Sequence, residues 1–238
     1  MPLLVALLAS IVIVAACAGA ARAIGGDPML GAELGVFGMT AGWLTLLSKS
    51  VNAGLAGQRE MQLRTRLTPM RGRALRVIDG HQSNEAFVLG PLRPEIFVSR
   101  ALLDTLDAEE LEAVLLHEEH HQRTLAPLRT LALTSWMRMV GVVPVLVRWI
   151  QRRLDQLEVD ADRYALAAGA SPATIASALV KCDRTAGSAA LGYASAAEVR
   201  LRQLLGDQPR GDLASTPIEW VAPAVLSLGI VLCHLFLG

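Results

Sequence analysis

The run His117-Glu118-Glu119-His120-His121 constrains this chain more than any other stretch, because it makes sense only on a helix. It reads H-E-x-x-H. Residues four apart on an α-helix share a face, so the imidazoles of His117 and His121 can reach one metal ion. Glu118, beside the first imidazole, is placed to act as a general base toward a water on that ion. The flanking sequence predicts the helix. Asp107-Ala-Glu-Glu110 fits a capping box, and Leu111, Val114 and Leu115 continue it with helical spacing. Pro127 is expected to close the segment.

Two histidines do not complete a catalytic metal site, which needs a third protein ligand and an open position. The best candidate lies in Glu158-Val-Asp-Ala-Asp162, on a predicted amphipathic helix that ends near Gly169. Glu158 and Asp162 share a face. The spacing suits Glu158 as ligand and Asp162 as acceptor of a hydrogen bond from the far ring nitrogen of a ligand histidine. A solvated acidic face balanced by Arg152, Arg153 and Arg163 is the competing reading of the same residues. His120, next to His121, points about a third of a turn away and is expected to be solvated or to sit behind the ligands.

H-E-x-x-H followed several tens of residues later by E-x-x-A-D resembles the gluzincin metallopeptidases of membranes, in two related families. One is M48, the HtpX and CAAX-prenyl endopeptidase type. The other is M56, typified by an antibiotic-sensing transducer. Ala86–Ser99, Leu103–Glu118 and Val143–Trp149 look like the M56 strand region, its approach to the zinc helix and its Pro-containing turn. The resemblance covers roughly residues 75–170. It implies Zn2+ held by His117, His121 and Glu158, Glu118 as the catalytic residue, and a small sheet beside the zinc helix. It further implies a protein or peptide substrate, such as a cytosolic transcriptional repressor or the chain itself. Quality control of membrane proteins, in the manner of M48, is the alternative. A catalytically silent signalling or scaffold protein is a third reading, against which the intact set of predicted zinc residues counts. No pattern of a penicillin-binding domain follows the last apolar segment, so β-lactam sensing is not expected.

Hydrophobic residues make up 53% of the 238 and charged residues 18%, with mean hydropathy +0.41. Soluble domains are usually more charged. Three segments have the length and composition of membrane spans: Pro2–Ala21, Pro28–Ser48 and Pro217–Leu237. The predicted fold is therefore a mainly α integral membrane protein with three transmembrane helices and a gluzincin-like peptidase domain. Its parts are residues 1–48 (two spans), 49–216 (the zinc domain) and 217–238 (the last span).

Lys49, Arg59, Arg64, Arg66, Arg71, Arg73 and Arg76 follow the second span, against Glu60 alone. By the positive-inside rule that side is cytoplasmic. The expected topology is multi-pass in the cell membrane, with the N-terminus and metal site cytoplasmic and the C-terminus extracytoplasmic. A net charge of +0 suggests no nucleic-acid partner. The bilayer and a polypeptide substrate are the expected partners, and an oligomer is compatible with the sequence.

Leu128–Ile150 is apolar enough to imitate a fourth span, but one crossing there would put His121 and Glu158 on opposite sides of ~30 Å of hydrocarbon. Arg129, Arg138 and Arg148 add to the cost. Gly141 and Pro144 instead predict a break between two short helices, packed on the domain or dipping into the membrane surface.

The remaining expectations concern the domain's elements. Residues 49–75 are expected to form a basic helix, and strands are expected at Leu75–Ile78, Ala86–Leu89 and Glu95–Ser99, one edge of which can pair with an extended substrate. Helices are expected at about Ala101–Ala126, Val145–Ala168, Ser171–Thr185 and Ser195–Leu205, then a linker over Gly206–Thr216. Cys17, Cys182 and Cys233 match no metal or redox spacing, and an odd count argues against a disulfide framework.

Overall fold

The computed structural model describes residues 19, 21–80, 84–141, 144–183 and 200. Most of the expected first span, the last span, the linker and all of the Ser195–Leu205 helix except Arg200 lie outside them. The described elements run α1 (Pro28–Arg64), β1 (Arg66–Met70), β2 (Arg73–Ile78), β3 (Ala86–Leu89), β4 (Glu95–Ser99), α2 (Arg100–Thr105), α3 (Ala108–Arg123), α4 (Ala126–Val140), α5 (Pro144–Ala167) and α6 (Pro172–Asp183).

The chain divides into two compact units. One contains residues 1–48, 134–150 and 211–238. Its described part is the first half of α1, the end of α4 and the start of α5. Trp43 and Trp136 meet edge to face there at 6.4 Å, and Val36, Val140, Leu146 and Ile150 are buried. Met29, Leu30, Leu34, Phe37 and Leu44 of α1 are exposed. Among the described residues, Met29–Arg64 is the helix long and apolar enough to cross a membrane, by length and composition. At 37 residues α1 is ~56 Å long, well beyond a ~30 Å hydrocarbon core.

The other unit comprises residues 49–133 and 151–210. Its sheet has the order β1-β2-β4-β3, with β2 and β4 parallel and both outer pairs antiparallel. Leu75, Ile96 and Val98 from the two inner strands are buried with Leu102, Leu111, Leu115 and Ala178 from the helices and Leu106 from between α2 and α3. A second small cluster joins Ala113 of α3 to Ala165 of α5 and Ile175 of α6.

Several boundaries differ from the expectations. The basic segment 49–75 is not one helix: it ends at Arg64 and turns into the β1–β2 hairpin. Arg71 and Gly72 form its two-residue turn with φ of 51° and 76°, the left-handed pair that matches the twist of a hairpin. Pro69 is tolerated because β1 is an edge strand. Arg73 pairs with Glu112 and Glu119, and Arg76 with Glu95.

The helix expected over Ala101–Ala126 is two helices, broken at Leu106, because the capping box at Asp107 starts a new one. Asp107 Oδ1 accepts from the backbone of Glu109 and Glu110, and Glu110 accepts from Asp107 N. Pro127 does not close that helix. It sits in the first turn of α4, where no backbone donor is needed. Leu125, at φ 52°, makes the reversal instead. Gly141 and Pro144 do mark a break, and α5, expected over Val145–Ala168, runs from Pro144 to Ala167, past Glu158 and Asp162.

The start of the domain is tied to its sheet. Gln58 donates to the carbonyl of Arg93 at 2.8 Å, and Gln62 donates to Glu95. Gly90, at φ 113°, lies under Gln58, and a Cβ there would come within 2.3 Å of the Gln58 amide oxygen. Only glycine meets both conditions.

Candidate metal centre

Two helices supply the site. The capping box starts α3 and fixes its phase, so that His117, Glu118 and His121 fall on its buried side. Gln122 donates to the carbonyl of Pro94 at 2.8 Å, tying the same end of α3 to the loop that enters β4. In α5, Leu157, Val159, Ala161 and Ala165 are buried, and Glu158 and Asp162 face the histidines from the same helix.

The residues selected by motif spacing come together. One donor atom each from His117, His121 and Glu158 lies within 4.8 Å of the others. The two Nε2 atoms are 3.0 Å apart, and each is 3.4 Å from a Glu158 carboxylate oxygen. Donors held ~2.0–2.1 Å from one tetrahedral centre lie about 3.3–3.4 Å from each other, and the contacts of His117 Nε2 to Glu158 Oε2 and His121 Nε2 to Glu158 Oε1 are of that size, so the donor set is compatible with a zinc ion. Glu158 keeps 34% of its side chain open to solvent, which leaves an approach to the group.

Asp162 is 2% exposed, and its Oδ1 is 2.9 Å from His117 Nδ1. An ionised carboxylate only accepts, so His117 donates from Nδ1, and Nε2, once unprotonated, is the nitrogen left to offer its lone pair to an ion. Nδ1 of His121 is buried and has no hydrogen-bond partner among the described residues. Glu118 is buried beside His117, and its charge acts on both His117 and Arg200. His120 is outside the triad: its ring lies 5.2 Å from Tyr164, over which Arg123 also sits.

The electrostatics favour positive charge between these groups. Burial opposes protonation of His117, yet its hydrogen bonds to Asp162 and Glu158 raise its pKa to about 9. Burial likewise opposes ionisation of Glu158, but His117 and His121 hold it well below the ordinary carboxylate range. Asp162 is also lowered: burial works against it, and His117 and Arg200 outweigh burial.

Arg200 was not among the residues predicted from sequence. Its Nε donates to Asp162 Oδ2 and its Nη2 to Oδ1, both at 2.8 Å. Its Nη1 lies 3.5 Å from Glu158 Oε2. A buried aspartate beside a glutamate calls for a cation, but nothing in the spacing selects Arg200 from the chain's 22 basic residues.

The family model described as Peptidase family M48 matches residues 57–216. The chain belongs to peptidase family M48. That match covers the sheet, α3, the part of α5 that carries Glu158 and Asp162, and Arg200. Comparison with curated proteins found no match. Within M48, the triad of His117, His121 and Glu158 is the group that could hold a metal among the described residues.

Proposed function

We propose that this chain is a zinc-dependent membrane endopeptidase whose active site opens to the cytoplasm. The observation that carries the reading is the convergence of His117, His121 and Glu158 on one point, in a chain of family M48. His117, His121 and Glu158 hold the ion, and Asp162 orients His117. Zinc, when bound, supplies Lewis acidity that brings a water's pKa toward neutrality and polarises the scissile carbonyl. Glu118 takes a proton from the attacking water and returns it to the leaving amine. The substrate is a stretch of extended polypeptide. Among the described residues β3 is paired only with β4, and strand addition at its other side would satisfy the backbone of such a stretch.

The membrane part of the reading rests on α1. Its exposed apolar half is of spanning length, and its basic half belongs to the peptidase unit.

The test is cleavage of an unfolded protein by the full chain reconstituted in lipid vesicles. Cleavage should stop on chelation and return with added zinc. Cleavage that survives complete metal removal would sink the proposal.

A further inference from the structure

Arg200 has no part in the chemistry just proposed, yet it has two contacts with a buried carboxylate. A guanidinium is a like charge to a metal ion. If it acted only through its charge, its presence 3.5 Å from Glu158 would weaken cation binding. The geometry indicates the opposite effect. The two 2.8 Å bonds from Nε and Nη2 match the fork of Arg200 to both oxygens of Asp162. A carboxylate held at both oxygens has its rotation fixed. Oδ1 then stays in line with His117 Nδ1, at 2.9 Å. Nη2 itself is 3.4 Å from that nitrogen, so guanidinium and imidazole converge on one oxygen. Asp162 is almost fully buried, and without a cation it could keep its charge only at a large desolvation cost.

We infer that Arg200 is a positioning residue for metal binding, which acts by locking Asp162 as the hydrogen-bond acceptor of His117. The inference rests on the zinc reading above. Removal of Arg200 should therefore lower zinc affinity although it removes a positive charge from the site. The loss should disappear once Asp162 can no longer act. Lysine should rescue in part only, because one ammonium cannot span both carboxylate oxygens.

The experiment is a competitive zinc titration of the detergent-solubilised full chain against a chromophoric chelator. It compares wild type, Arg200→Lys, Arg200→Ala, Asp162→Asn and the Arg200→Ala/Asp162→Asn double variant. Circular dichroism of each metal-free variant serves as the folding readout. Arg200→Ala is expected to bind zinc ~10–100-fold more weakly, with Arg200→Lys between it and wild type. The double variant is expected to match Asp162→Asn alone, since the two groups act in series. Unchanged or tighter binding in Arg200→Ala would overturn the inference, as would an equal loss in both backgrounds or a loss that tracks unfolding. If the wild-type chain bound no zinc, the proposed function would fail and this inference with it. The other contrary results overturn the inference alone.

Discussion

The two ends of α3 both bury a carboxylate system against another helix, and they are built to opposite plans. At the N-terminal end Glu110 closes on itself. Its oxygens accept from Asp107 N at 2.9 Å, from Ser177 Oγ at 2.6 Å and from Lys181 Nζ. Both oxygens of Glu110 are thus occupied by donors of the chain itself. At the other end, two imidazole nitrogens face one another at 3.0 Å with a carboxylate beside both. There, among the described residues, one possible ligand atom each of His117, His121 and Glu158 lies within 4.8 Å of the others. The difference separates a cluster that holds a fold from one that could hold a cation. It also shows why burial and charge alone do not identify a site: both ends contain buried acids with cationic partners.

Substitutions at the two ends should separate activity from stability. Glu118→Gln should have the largest effect, a rate loss of ~10²–10⁴, with zinc content and thermal stability close to wild type. The amide keeps the shape of the side chain and loses its basicity. A cleavage assay beside a melting curve reads both quantities, and equal losses in each would erase the distinction.

Glu110→Gln should do the reverse, costing roughly 1–3 kcal/mol of stability while leaving the rate of the folded enzyme nearly unchanged. Its pH dependence has a definite sign. Burial works against its ionisation, but Lys181, Ser177 and Asp107 hold its pKa down at about 2, below its ordinary 4.5. The carboxylate therefore stabilises the fold fully above about pH 4.5, and that contribution is lost as pH falls toward 2. Denaturant melts of wild type and Glu110→Gln should converge over that window. A stability difference that stays constant down to pH 2 would refute the account of this cluster.

What could be read from the sequence was local. The capping box, strands β2 to β4 and the helical phases of His117, His121, Glu158 and Asp162 each follow from spacings of two to four residues. Those phases told which side chains would meet; their roles as ligands belong to the proposal. What escaped depended on turns or on distant contacts. Arg71-Gly72 is a weaker hairpin signal than Asn-Gly, and Pro69 argues against a strand unless the strand is known to be an edge. A helix after the second span was expected, but not its end at Arg64, near which Gln58 and Gln62 tie it to the residues entering β4. Arg200 meets Asp162 from 38 residues away, and only the fold brings them together.

The central claim is that the open end of α3 and the facing Glu158 form a zinc site. Zinc content per chain, measured by elemental analysis on purified wild type, Glu118→Gln and Glu158→Ala, tests it most directly. The account predicts about one zinc per chain in the first two and strong depletion in Glu158→Ala, which retains two of the three required ligands. Full zinc in Glu158→Ala would contradict it, because the third ligand would then lie elsewhere.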